Sequence, residues 1–219
     1  LIFDIGVAPF LASRDFIIFD QRGTGYSEPA LDCPGLLQLS LETLDEDLSV
    51  EDSVALSVGV LSECRDRLVG EGVNLAAYTS AENAADLSDI RRALGIDEWN
   101  LYGTSYGTRL ALTAMRDFPE GIRSVILDSS FPLEVDLLSS IVPNADRAFT
   151  TLFDGCKAIQ GCDAAYPGLE TTFFELVDLL DEAPTSTTIT NALTGESFDA
   201  LITGHGLIDF LFKSLYATE

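Results

Sequence analysis

The chain has 219 residues, 47% of them hydrophobic, and carries a net charge of −24 from 36 acids against 12 bases. That length and apolar share are enough for one large domain or a domain with a lobe, and the acidic balance argues against nucleic acid or an anionic membrane as partner, since both bind through a basic footprint. No apolar run reaches the ~18 residues of a membrane span, so none is expected.

The first stretch, "LIFDIGVAPFLASRDF", does not begin with Met and is apolar and strand-like. It lacks a charged segment ahead of an apolar one, so no signal peptide is legible and the start reads as the middle of a protein. Next, "DFIIFDQRGTGYSEP" predicts a buried strand over Phe16–Phe19 that ends in a Gly-rich loop. Residues 36–70 are helical in character, with "ETLDED" as a solvated acidic patch.

"TSAENAADLSDIRRALGIDEWNLYG" is more sharply punctuated. Thr79 and Glu82 have the spacing of a capping box, and Ala84, Leu87, Ile90 and Leu94 fall on one helical face. Gly95 stands where a helix-terminating glycine belongs, and a strand from Trp99 to Tyr102 follows. A second helix, "TRLALTAMRDFPEG", should stop near Pro119 and lead into the apolar strand "IRSVILDSS". Strand, helix, strand, turn, helix, strand over 15–130 predicts parallel strands with helices on both faces and strands buried on both sides.

Beyond Pro132 the pattern changes. A helix is expected over Pro143–Asp154, with Ala145, Ala148, Phe149 and Leu152 on one face, and another over Leu169–Leu180. "TTITNALTGESFDALIT" reads as a β-hairpin turning near Gly195. A last helix uses Leu207, Ile208, Leu211, Phe212 and Leu215. The expected organisation is an α/β core over 1–130 and a mainly helical lobe over 131–219.

The candidate chemistry lies in Gly103-Thr104-Ser105-Tyr106-Gly107, a G-x-S-x-G pattern between an apolar strand and an amphipathic helix. In a strand–turn–helix elbow the serine is forced into a strained conformation that lifts its Oγ clear of the backbone. Gly103 and Gly107 are expected to be small because strand and helix approach closely there. The backbone N–H of Tyr106 would face a developing oxyanion, helped by the helix dipole. The bland alternative is a glycine-rich turn with an N-capping serine.

A nucleophilic serine needs a base, and the only histidine is His205. It opens the last predicted helix, where the dipole disfavours an imidazolium, so it reads as a helix N-terminal residue of the lobe rather than the base. Asp128 at the end of "VILDSS" reads as a turn residue, and Arg22 as a brace paired with a carboxylate. One histidine and the absence of C-x-x-C predict no metal, and nothing calls for a cofactor. Cys33, Cys64, Cys156 and Cys162 fit either two disulfides in an oxidising compartment or four buried thiols.

"DQRGTGYSEP", "LYGTSYGTRLAL", "FPEGIRSVILDSS" and "PNADRAF" together resemble the prolyl aminopeptidase branch of the α/β-hydrolases, especially its secreted tripeptidyl aminopeptidase-like members. The resemblance implies an α/β-hydrolase fold with a helical cap after the sixth core strand. It implies a serine peptidase that acts on peptides with a free N-terminus through an acyl-enzyme on Ser105, outside the cytoplasm. It also implies Cys33–Cys64 and Cys156–Cys162 disulfides. Recognition of the substrate ammonium would fall to cap carboxylates, with Glu134 and Asp136 as candidates. In the family's order Ser…Asp…His, only Ser is matched here, and the H-G-G-P-G-like oxyanion stretch is not. The chain is therefore expected to be a fragment, inactive alone, that starts past that stretch and ends inside the cap. A carboxylesterase on the same scaffold and a non-catalytic binding protein are the alternatives.

Overall fold

The computed structural model describes residues 7–216. In chain order the elements are α1 (Ala8–Leu11), α2 (Pro34–Glu42), α3 (Val50–Gly70), a 3-10 turn (Leu75–Ala77), α4 (Ser80–Ala93), β1 (Trp99–Thr104), α5 (Tyr106–Asp117) and β2 (Ile122–Asp128). They continue as α6 (Leu137–Ala158), α7 (Gln160–Ala165), α8 (Leu169–Glu182), β3 (Thr185–Thr190), β4 (Ser197–Ile202) and α9 (Gly204–Ser214). The chain divides into two compact units: the residues up to Asp32 with Cys64–Leu133, and Cys33–Glu63 with the residues from Glu134 onward. One boundary between them follows Leu133. Cys33–Glu63, by contrast, groups with the second unit; within it, Leu201 N–H donates to Leu44 O at 2.7 Å.

In the first unit, α4 starts and stops where its sequence signals stand. Thr79 Oγ1 accepts the Glu82 N–H at 3.3 Å. At the other end Gly95 adopts φ +67°, and the N–H groups of Gly95 and Ile96 reach back to the carbonyls of Arg92 and Arg91. That pair of bonds closes the last turn and needs a residue that tolerates the left-handed region. Leu94, expected on the buried face, is 56% exposed, because it is the C-cap and the helix has already ended.

Strands β1 and β2 pair in parallel, with Leu101 opposite Val125, Tyr102 opposite Ile126 and Thr104 opposite Asp128. Leu101 is buried with Ala84 and Leu87 of α4 and Leu110, Ala111 and Ala114 of α5, and Trp99, Ile122, Val125, Phe118 and Phe19 pack around them. Each such leucine contributes about 1.5–3 kcal/mol relative to full exposure. Successive strand residues point to opposite faces, so Tyr102 and Ile126 turn away from this cluster and are 51% and 48% exposed. The expectation of strands buried on both sides is thus corrected: among the described residues only one face is covered.

Two further expectations change. Phe16–Phe19 forms no strand, and Ile17 and Ile18 are 42% and 55% exposed. A strand exists only through a partner's ladder, and no described segment offers 15–20 one; Phe19 alone joins the core. The strand-like reading of the opening residues falls on 1–6, outside the described residues, and Ala8–Leu11 is helical, with Pro at its first turn. The last three residues, 217–219, are also outside them.

The loop after Phe19 is held from within and from α4. Asp20 Oδ2 accepts the Tyr26 N–H at 2.8 Å, and Ser27 Oγ donates to Asp20 O at 2.6 Å. Arg22 donates through Nε and Nη2 to both carboxylate oxygens of Asp86, at 2.7 and 2.6 Å, and through Nη1 to Ala77 O at 2.7 Å. The hydrogen bond to Asp86 raises the Arg22 pKa above its ordinary value, against the opposing effect of burial. Arg22 is therefore the brace the sequence suggested.

In the second unit, α6 begins at Leu137, not at Pro143. The Asp136 carboxylate accepts the Leu138 N–H at 3.0 Å and so caps the helix a turn and a half earlier, leaving Pro143 inside it. Phe153 of α6 packs against Phe173 and Phe174 of α8, with centroids 5.7 and 6.1 Å apart. β3 and β4 form the expected antiparallel hairpin, and Thr203 Oγ1 caps α9 by accepting the Gly206 N–H at 3.0 Å. A disulfide joins Cys156 to Cys162. Cys33 and Cys64 are disulfide-bonded as well, so no cysteine is free.

At Gly103 the backbones of β1 and α5 come close together. A Cβ there would overlap Gly107 O and stand 2.6 Å from Gly107 C and 2.9 Å from Thr108 N. Gly107 does not share the constraint: a Cβ on it meets nothing within 4 Å. This corrects the expectation that both glycines are needed for packing. Gly103→Ala should lower unfolding free energy by about 1–3 kcal/mol in urea titrations, whereas Gly107→Ala, inside a helix, should leave it unchanged or raise it by about 0.5–1 kcal/mol. Replacing Cys156 and Cys162 together by Ser should cost about 2 kcal/mol in the same titration, the value for so short a closed loop.

Candidate active site

Ser105 lies between β1 and α5 with φ +54° and ψ −120°. A non-glycine residue in this region carries about 1–3 kcal/mol of strain and persists only where its surroundings over-determine it. They do so here. The Ser105 N–H donates to Asp128 O at 3.0 Å, which extends the β1–β2 ladder past the end of β1. The Ser105 carbonyl accepts the Thr108 N–H at 3.0 Å and the Thr108 Oγ1–H at 2.7 Å. Beside the turn, the absence of a side chain at Gly103 lets the strand backbone lie against α5.

Ser105 occupies the N-cap position of α5, but its side chain makes no capping bond, and the residue is exposed. Its hydroxyl is thus displayed, unlike that of an ordinary N-capping serine. Tyr106 is the first residue of α5, where backbone N–H groups have no partner within the helix and the dipole is positive. An oxyanion forming beside Ser105 Oγ would meet that end of the helix. The Tyr106 hydroxyl shares a hydrogen bond of 2.9 Å with Ser80 Oγ, at the first residue of α4.

The other sequence candidates take different places. Asp128 ends β2; its carboxylate accepts from Tyr102 OH at 2.9 Å and Ser129 Oγ at 3.3 Å, as suits a strand-end turn residue. His205 lies in the first turn of α9, its side chain 76% exposed, with Nδ1 3.7 Å from Asp181 Oδ1 in the same unit. Asp136 spends its carboxylate on the α6 cap, and Glu134 is exposed in the same unit. Among the described residues no group of His, Cys, Asp and Glu could hold a metal, and no helix is long and apolar enough to cross a membrane.

Three supporting residues escape a reading of the sequence. Thr108 is the third residue after Ser105, a spacing that allows a hydroxyl to bond back to the N-cap carbonyl, and that was the one available signal. Ser80 and Asp86 had none, because each meets its partner across the fold, 26 and 64 residues away.

Several known proteins are similar to this chain. It is 30% identical over 163 residues to "Serine protease Hip1" of Mycobacterium tuberculosis, covering 68% of this chain and 30% of that protein. It is 42% identical over 79 residues to "Proline iminopeptidase" of Lactobacillus delbrueckii subsp. bulgaricus, covering 33% of this chain and 27% of the relative. It is 30% identical over 120 residues to "Tripeptidyl aminopeptidase" of Streptomyces lividans, covering 52% and 22%. The chain spans less than a third of the length of these relatives. A family profile described as "alpha/beta hydrolase fold" matches residues 2–176. With the parallel β1–β2 pair and the serine turn that joins β1 to α5, that match identifies the chain as a member of the α/β-hydrolase fold family.

Proposed function

We propose that this chain carries the nucleophile of a serine peptidase that releases residues from the free N-terminus of peptides. The observation that carries the reading is the strained, over-determined conformation of Ser105 at the strand–helix junction. The peptidase names of the relatives support the choice of peptides as substrate. Ser105 Oγ attacks the scissile carbonyl, and the oxyanion is met by the Tyr106 N–H at the positive end of α5. The amine departs and leaves an acyl-enzyme on Ser105, which water hydrolyses.

The resemblance orders the triad as Ser, then Asp, then His, so Ser105 is its first member. In that order the acid and base come after the cap, and neither Asp128 nor His205 is assigned to them. Of the two candidates for the substrate ammonium, Asp136 has its carboxylate engaged in capping α6, which favours Glu134. The four disulfide-bonded cysteines support an extracytoplasmic setting.

A fluorophosphonate probe should label the protein at Ser105, as located by peptide mass spectrometry. Ser105→Ala should abolish labelling and lower turnover of aminoacyl and tripeptidyl amides by about 10⁶-fold, while His205→Ala should leave labelling unchanged. Modification at another residue, or amide hydrolysis that survives in Ser105→Ala, would refute the assignment. Cleavage of short acyl esters with no hydrolysis of aminoacyl or tripeptidyl amides would assign the site to a carboxylesterase.

A further inference from the structure

Thr108 is 0% exposed, and its hydroxyl both donates and accepts. Its hydrogen goes to Ser105 O at 2.7 Å, and a lone pair accepts the Phe131 N–H at 2.7 Å. The first bond is local and common in the first turn of a helix. The second is not: it spans 23 residues and ties the first turn of α5 to the segment that leaves β2. The next residue, Arg109, reinforces the tie. Its guanidinium lies 4.6 Å from the centroid of the Phe131 ring and donates to Pro132 O and Leu133 O at 2.9 and 3.2 Å.

Ser105 C=O and Tyr106 N–H belong to one planar peptide group, in which carbonyl and N–H point in opposite directions. Gripping the carbonyl therefore aims the N–H. Ser105 O is gripped by Thr108 twice, through its N–H at 3.0 Å and its hydroxyl. We propose that Thr108 is a positioning residue whose buried hydroxyl, held in turn by Phe131 N–H, orients the Tyr106 N–H toward the oxyanion. This rests on the reading of Ser105 as nucleophile. A valine has the same shape without the hydroxyl; it would leave the peptide plane held by one bond and the Phe131 N–H without its acceptor.

The test compares Thr108→Val and Thr108→Ser in the protein, with the fluorophosphonate labelling rate measured per folded molecule. The valine variant should label about 10–100-fold more slowly, with kcat for an amide substrate reduced to match and KM unchanged, because oxyanion stabilisation acts only in the transition state. The serine variant keeps the hydroxyl and should recover most of the rate. If the valine variant does not fold, the same comparison is made between Thr108→Ala and Thr108→Ser. Folded sites that lack the hydroxyl and still react at the wild-type rate would overturn the proposal, and would reduce Thr108 to a stabilising residue. Labelling retained in Ser105→Ala is a separate outcome: it would remove the nucleophile reading, and this proposal with it.

Discussion

At Gly103 the backbone of β1 lies against the backbone of α5 with no side chain between them. Strand and helix are joined by a single residue, Ser105, so the chain has to turn within that residue, and φ +54° is the result. The same closeness lets Leu101 reach Leu110 and Ala111, which begins the core of the first unit. The strain at Ser105 is thus tied to the packing that stabilises the unit. Relaxing the turn would separate β1 from α5 and expose their shared apolar surface.

Polar contacts then convert that turn into a defined arrangement. Asp128 holds the Ser105 N–H from the neighbouring strand, and Thr108 holds its carbonyl from the helix. Both bonds are shielded or part of a ladder, so water competes poorly for them. The free direction at Ser105 is that of its side chain, which caps nothing. A displayed hydroxyl beside a helix N-terminus is a setting in which negative charge can form at low cost.

The charge distribution divides into two kinds. The pairs Arg65–Asp66, Arg67–Glu71 and Lys213–Asp209 are near neighbours in sequence with exposed side chains, and such pairs contribute little. Arg22 differs: it links the Gly-rich loop to Asp86 of α4 and Ala77 O through a planar fork, with only 25% of its side chain exposed. Bidentate geometry of this kind fixes orientation as well as distance. The net charge of −24 bears on solubility more than on fold.

What could be read from the sequence was what is decided within a few residues. The Thr79 cap, the Gly95 stop, the hairpin turn near Gly195 and the α9 face depend on residues close in sequence, and each appears where it was expected, as does the turn at Ser105. The apolar pattern also marked Trp99–Tyr102 as a strand. It could not say how many faces are covered, because Tyr102 and Ile126 would read the same under a helix or in water. Nor could it find a partner for Phe16–Phe19, assign residues 33–63 to the second unit, or prefer the Asp136 cap to Pro143. Asp86 and Phe131 N–H gained their roles from Arg22 and Thr108, 64 and 23 residues away. Local bonds are selected by side chains that the backbone already holds in reach, so composition and spacing determine them. Long-range bonds depend on which surfaces meet after the chain has closed on itself, and for this protein only the tertiary structure decided that.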